Sequence, residues 1–199
     1  MRVLAVSDIP SDRFYKFYQP GRLDEFDLIL SCGDLSPEYI EFLVTLAHCP
    51  LVYVHGNHDD TFSREPEGCI CADNRLINVN GLRILGLGGA YRYRKGKYMY
   101  TEKQMKSRVK YFSSQLRRSR GFDILLTHAP AYGLNDLQDL PHRGFECFHT
   151  LLNKYEPSYF IHGHIHRNYG YRIPQKIQKG KTTVINAYDY CIFDIDTEL

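Results

Sequence analysis

The sequence predicts an α/β domain, and three observations carry that prediction. Short apolar runs recur at Arg2 to Val6, Asp27 to Leu30, Leu51 to Val54, Asp123 to Leu126 and Ser158 to Ile161. Each has the length of a strand buried in a sheet. Segments with helical spacing lie between several of these runs. Each run also ends in a polar turn: Ser7-Asp8-Ile9-Pro10, Ser31-Cys32-Gly33-Asp34, His55-Gly56-Asn57-His58-Asp59-Asp60, Thr127-His128-Ala129-Pro130 and His162-Gly163-His164-Ile165-His166. The carboxyl ends of strands are where ligands sit in open α/β sheets.

Taken in order, Arg2 to Val6 and Asp27 to Leu30 read as the first two strands. Ser36 then caps a helix with Pro37 at its first position, where the missing N–H costs nothing. Ile40, Leu43 and Ala47 give that helix its inner stripe. Leu51 to Val54 is the third strand. Leu76 to Val79 and Leu82 to Leu87 flank Asn80-Gly81, the signature of a hairpin with a primed turn. Gly86-Leu87-Gly88-Gly89 lacks dinucleotide spacing and reads instead as a close backbone approach. The stretch from Tyr91 to Tyr100 is basic and aromatic. It reads as a solvated loop, with a phosphate-gripping or nucleic-acid-facing loop as the sharper alternative. Thr101-x-x-Gln104 is a capping box, and Met105, Val109, Phe112 and Leu116 predict one long amphipathic helix behind it. Phe145, Phe148, Leu152 and Tyr155 mark a further helix, stopped by Pro157. Thr182 to Ala187 and Cys191 to Ile195 are expected to close the chain as a hairpin.

A length of 199 residues fits one domain with a full core, so residues 1–199 are expected to form a single domain. Twenty-five Lys and Arg face 23 Asp and Glu, a net charge of +2, so no global field points to nucleic acid. No apolar run is long enough to span a membrane, and the N-terminus reads as a strand rather than a signal peptide. Six cysteines are scattered, with no Cys-x-x-Cys, as expected of a reduced, cytoplasmic protein.

The chemistry centres on His164 and His166. Residues i and i+2 of an extended segment point to one face, so the two imidazoles project together from the end of Ser158 to Ile161. Gly163 lets the backbone turn without a Cβ in the way. Such a pair suits one or two borderline metals. By itself, a pair of surface histidines on a loop is an equally good reading, and each of the other turns alone is ordinary turn chemistry. Together they place Asp8, Asp34, Asn57, His58, His128, His164 and His166 at successive strand ends. That is a set of oxygen and imidazole donors able to hold two divalent ions bridged by one carboxylate.

These motifs resemble those of the calcineurin-like metallophosphoesterase superfamily. Its pattern runs Asp-x-His, Gly-Asp, Gly-Asn-His-Asp or -Glu, a lone His, then Gly-His-x-His. Here it is met by Asp8-Ile9-Pro10, Gly33-Asp34, Gly56-Asn57-His58-Asp59, His128 and Gly163-His164-Ile165-His166. The tail from Gly163 through Tyr169-Gly170, with Thr182 to Ala187 after it, looks most like the small phosphodiesterase-type members. The resemblance implies two facing mixed β-sheets flanked by helices, a four-layer α/β/β/α sandwich with metals at the sheet ends. It implies a metal-dependent phosphoester hydrolase, acting on a phosphodiester rather than a monoester, with a small phosphorylated substrate. Asp34 would bridge both ions, Asn57, His128 and His164 would complete the second site, and Asp8 and His166 would belong to the first. His58 would be the general acid, a role its side-chain chemistry suits.

Pro10 departs from the pattern, because the family has a histidine ligand there and proline offers no side-chain donor. The first site keeps Asp8, Asp34, His166 and water, with Ser11 and Asp12 nearby in sequence. It is expected to bind its ion more weakly. Its oxygen-rich donors favour Mn²⁺, with iron, zinc and magnesium as alternatives. Two other readings stay open: a non-catalytic binding scaffold with a degenerate metal site, and a nuclease using the Arg92 to Lys97 loop.

Overall fold

The computed structural model of the chain describes residues 1–168 and 173–196. Tyr169 and Gly170, part of the tail compared above, lie outside the described residues. The strands, numbered in chain order, are β1 (Arg2–Ser7), β2 (Leu28–Ser31), β3 (Leu51–Tyr53), β4 (Ile70–Cys71), β5 (Arg75–Val79), β6 (Leu82–Leu87), β7 (Ala90–Tyr91), β8 (Met99–Tyr100), β9 (Ile124–Thr127), β10 (Tyr159–His162), β11 (Lys176–Lys179), β12 (Thr182–Asn186) and β13 (Asp189–Asp194). The helices are α1 (Pro37–Ala47), α2 (Glu102–Tyr111), α3 (Ser113–Arg118) and α4 (Cys147–Tyr155).

Two mixed sheets face each other. The first has the order β13-β1-β2-β3-β4, parallel except for β13. The second has the order β11-β12-β10-β9-β6-β5, with parallel inner strands and antiparallel edges. Strands buried on both faces read as near-continuous apolar runs, and β1 from Val3 to Val6, β2 from Leu28 to Leu30 and β9 from Ile124 to Leu126 do. Alternate residues go to opposite sides. Val3, Ala5, Leu28, Leu30 and Val52 meet Ile84, Ile124, Leu126, Ile161 and Ile185 between the sheets. Leu4, Val6, Ile29 and Leu51 face outward onto Tyr39, Ile40, Leu43 and Ala47 of α1. On the far side Leu85, Leu125, Phe160 and Val184 pack on Met105, Val109, Leu116, Phe148 and Leu152 of α2, α3 and α4. The layers are therefore helix, sheet, sheet, helix, as expected. Each fully buried Leu or Phe in these layers stabilises by roughly 1.5–3 kcal/mol.

Local signals explain the element ends. The Ser36 side chain accepts from the Tyr39 N–H with Pro37 at the first turn, and Thr101 and Gln104 complete the capping box of α2. Asn80 and Gly81 both have positive φ, the primed turn that the β5–β6 hairpin requires.

Two expectations are corrected. The long helix after Thr101 is two helices, α2 and α3, separated at Phe112, whose N–H bonds back to the Val109 carbonyl. The tightened turn keeps both Phe112 and Leu116 in the core, at 2% and 1% exposure, as they follow the curved sheet. The closing hairpin does not form either. β12 lies in the second sheet beside β10, whereas β13 crosses to the first and pairs with β1. The hairpin partner of β12 is β11, across Gly180-Lys181. No helix among the described residues is long and apolar enough to cross a membrane.

Candidate metal centre

The parallel strands of both sheets bring their carboxyl ends to one edge. Asp8 follows β1, Asp34 follows β2, and Asn57 and His58 follow β3. From the other sheet, His128 follows β9, and His164 and His166 follow β10. Asp8, Asp34, His58, His164 and His166 line a common cavity. Asn57 and His128 are fully buried, and His128 Nε2 lies 2.9 Å from Asn57 Oδ1 and 3.3 Å from Asp34 Oδ2. Asp34, His128 and His164 each offer one donor atom within 4.8 Å of the others. Asp8 and His166 form a neighbouring pair, Oδ1 to Nε2 3.5 Å, and the His164 N–H donates to Asp8 Oδ2 at 2.9 Å, linking the two groups.

The backbone is forced into this shape. Asp8, Asp34 and His164 have φ of 69°, 58° and 66°, the left-handed region that non-glycine residues avoid. Such residues cost about 1–3 kcal/mol each and persist only where surrounding contacts over-determine them. Those contacts run between strand ends. The Asp8 N–H donates to the Gly33 carbonyl at 3.1 Å, and the Gly163 N–H donates to the His128 carbonyl at 2.9 Å. Gly56 must lack a side chain, since a Cβ would sit 2.0 Å from Asp34 Oδ1. At Gly163 a Cβ would sit 1.9 Å from Ser7 Oγ and 2.8 Å from Asp8 Oδ2.

Both buried rings are oriented by backbone carbonyls. His128 Nδ1 donates to the Cys32 carbonyl at 2.7 Å, which turns Nε2 toward Asn57 and Asp34. His164 Nε2 donates to the Pro141 carbonyl at 2.7 Å, which leaves Nδ1 with the lone pair. Holding one ring nitrogen in this way fixes the tautomer and the direction of the other.

The electrostatics call for a cation. Burial pushes the Asp34 carboxyl upward, but the His128 ring and the His58 N–H outweigh it and hold its pKa at about 2. Burial also works against charge on Asp8, and His166 and then His128 still hold its carboxyl below the ordinary value. Both carboxylates are thus ionised at neutral pH. Burial would make His128 less basic, yet Asp34 and Asp8 raise its pKa to about 9. Without that proton, Nε2 would direct a lone pair at an amide oxygen and a carboxylate oxygen. A divalent ion in the same place satisfies all three acceptors. Burial, then the charge on His128, lowers His164 to about 3, so its imidazole is neutral and able to ligate. The donor set fits an ion of the oxygen- and nitrogen-binding class.

Among the described residues the group of three is Asp34, His128 and His164 alone, and Asp12 does not join Asp8 and His166 in another. The Ser11 side chain is buried beside Asp189, away from the cavity lining. Pro10 itself offers no side-chain donor, and among the described residues Asp8 and His166 belong to no group of three such donors.

Sequence reasoning missed three participants. Tyr93 lines the cavity, with its hydroxyl 3.5 Å from Asn57 Nδ2. The basic, aromatic stretch was legible, but nothing in it distinguished Tyr93 from its neighbours. His142 also lines the cavity, its ring 5.4 Å from that of His164 and its Nδ1 2.6 Å from Asp139. It lies between Pro130 and Phe145, where the sequence carries no motif. The Pro141 carbonyl, a backbone group, has no sequence signal.

A family model described as calcineurin-like phosphoesterase matches residues 1–168. An uncharacterized protein of Haemophilus influenzae is 27% identical over 201 residues, 83% of this chain and 84% of that protein. The crystal structure of TT1561 of Thermus thermophilus superposes with a TM-score of 0.63 at 18% identity, over 94% of this chain and 89% of that one. A putative 5'-nucleotidase from Staphylococcus aureus, solved in complex with alpha-ketoglutarate, gives 0.55 at 16% identity over 98% of this chain, which spans 51% of that larger protein. At these identities the solved structures show the shared fold. The family model covers the strand ends that carry every donor above, and the chain belongs to the calcineurin-like phosphoesterase family.

Proposed function

We propose that this protein is a metal-dependent phosphoesterase that hydrolyses a small phosphodiester in preference to a monoester. The observation that carries the proposal is the buried convergence of Asp34, Asn57, His128 and His164, with both ring tautomers set by backbone carbonyls. Divalent ions bound there would supply a nucleophile at neutral pH and offset charge on phosphorus. Asp34, ionised and at the centre, has two oxygens to share between two sites. Asn57 contributes a neutral oxygen and so limits the negative charge that a phosphate must approach. His58 is exposed beside Asp8 and Asp34 and is anchored through its N–H to Asp34 Oδ1 at 2.7 Å. It is the group placed to protonate a leaving alkoxide. Manganese suits the sparser site at Asp8 and His166, and two ions of unequal affinity follow from Pro10. The diester preference rests on the likeness in sequence of Gly163 to Gly170, with Thr182 to Ala187 after it, to phosphodiesterase-type members.

One observation favours a second reading, a binding scaffold with a single ion. Among the described residues, Asp8 and His166 do not fall into a close group of three His, Cys, Asp or Glu donors, as Asp34, His128 and His164 do. The deciding experiment is metal analysis of protein purified without chelator, with turnover of bis(p-nitrophenyl) phosphate and p-nitrophenyl phosphate at added Mn²⁺. Bound metal with diester turnover that a chelator abolishes supports the enzyme. Bound metal with no turnover of either ester supports the scaffold.

A further inference from the structure

Tyr93 stands at the cavity beside Asp8, Asp34 and His58, on a loop fastened at both ends. The Gly88 N–H donates to Asp73 Oδ1 at 2.8 Å and the Gly89 N–H to the His55 carbonyl at 2.7 Å. The Ala90 and Arg92 N–H groups reach the Tyr98 and Tyr100 carbonyls at 3.0 and 2.9 Å. Between them, Arg94 donates to the Asn57 carbonyl at 3.1 Å and lies 3.7 Å from Asp60. At Gly96 a Cβ would come within 3.0 Å of both Asp60 and Met99, so the loop lies flush against the body. A side chain held this way loses little freedom when a ligand arrives.

The hydrogen bonds of the phenol set its direction. A tyrosine hydroxyl has two lone pairs and one O–H. Asn57 Nδ2 donates to it, which also keeps Asn57 Oδ1 turned toward His128. Arg94, the next residue, is held by the Asn57 carbonyl and Asp60. With Asn57 donating, the O–H itself is left for another acceptor, and Tyr93 lines the cavity. A neutral donor beside two ionised carboxylates adds no charge that would compete for an ion, and it matches an oxygen that becomes more negative during reaction.

We propose that Tyr93 Oη donates a hydrogen bond to a non-bridging oxygen of the phosphoryl group at the metal centre, most strongly as charge grows there, with Arg94 as its positioning residue. The inference rests on the phosphoesterase reading and names a contact which that reading does not contain. It also gives the stretch from Tyr91 to Tyr100 a use. Arg94 is engaged with Asn57 and Asp60, and Arg92 with the Met99 carbonyl, while Tyr93 is the residue of the stretch that lines the cavity.

The test compares wild type, Tyr93→Phe, Arg94→Ala and the double variant, all loaded with Mn²⁺. The measurements are metal content, kcat and KM on bis(p-nitrophenyl) phosphate, and affinity for inorganic phosphate. Tyr93→Phe should keep its manganese, lose about 10²-fold in kcat as for one removed oxyanion donor, and bind phosphate about tenfold more weakly. Arg94→Ala should lose less, and the double variant should be no worse than Tyr93→Phe, since the two act as a unit. Turnover by wild type with an unchanged Tyr93→Phe would overturn the inference and leave the phosphoesterase reading standing. Loss of manganese from Tyr93→Phe would overturn it too, by showing that the hydroxyl serves only to hold Asn57. If wild type hydrolyses neither ester, the phosphoesterase reading fails and phosphate affinity decides. Weaker binding by Tyr93→Phe would then uphold the contact, and equal or absent binding in both would overturn it.

Discussion

Asn57 and His58 are adjacent in sequence with opposite surroundings. Asn57 is fully buried against His128, whereas His58 is exposed at the cavity. In the proposed function the first would hold an ion and the second would exchange a proton. His58→Ala should therefore retain metal and lose on the order of 10²–10⁴-fold in rate. The loss should shrink for esters with good leaving groups, which need no proton. An equal loss across leaving groups, measured as a series of aryl diesters, would assign His58 another role. His128 makes a prediction about pH. Its folded pKa is raised from 6.5 to about 9 by Asp34 and Asp8 despite burial. Between those values the folded metal-free chain holds more protons than the unfolded one. That stabilisation is complete below 6.5 and is lost as pH rises through 9. Denaturant titration of the chelated protein should show stability falling across that window, while Mn²⁺ affinity rises because the ion displaces the proton. A flat profile for the chelated wild type, or one that His128→Asn leaves unchanged, would contradict the assignment.

At the scale of elements, the site depends on how closely the ends of β1 and β10 approach across the two sheets. Gly163 lies against Ser7 and Asp8 with no room for a methyl group. Gly163→Ala should separate those strand ends, cost about 1–3 kcal/mol as overpacking does, and weaken the ion held by Asp8 and His166 more than the one held by His128 and His164. Urea midpoint and manganese stoichiometry, measured together, check this. A wild-type result in both would mean that the strand ends tolerate movement the geometry does not suggest. The division of α2 from α3 belongs to the same scale. Helical spacing runs unbroken through Phe112 in the sequence, whereas the chain breaks there with Phe112 and Leu116 both buried.

For the whole molecule, the four layers fix six strand-end donors and leave the family position at Pro10 empty of any side-chain ligand. Proline fixes φ near −65° and removes an N–H, so the turn after Asp8 is rigid as well as donor-poor. Activity should keep rising with Mn²⁺ well after the first equivalent has bound, and Pro10→His should tighten the second equivalent. Stoichiometry and rate across a Mn²⁺ titration, for wild type and Pro10→His, test this. Two tight ions in wild type would show that another group takes the histidine's place. An ion that binds only the native state also raises stability by mass action, so the melting temperature in the same titration provides a second readout.

The sequence by itself determined the strands with their polar ends, the caps at Ser36 and Thr101, the primed turn at Asn80-Gly81, and the order of the donors from Asp8 to His166. Each of these is local, because alternation, capping and turn chemistry act between residues a few positions apart. Only the tertiary structure decided that β12 and β13 part to different sheets, since pairing is a competition among distant edges that neither strand's composition records. It alone decided which nitrogen of His128 and His164 faces the site, because the Cys32 and Pro141 carbonyls that orient them are backbone groups common to every residue. It alone also brought Tyr93 and His142 to the cavity. Their loops are placed by contacts to Asn57, Asp60 and His164, far away in the chain, and such contacts exist only once the two sheets have closed on each other.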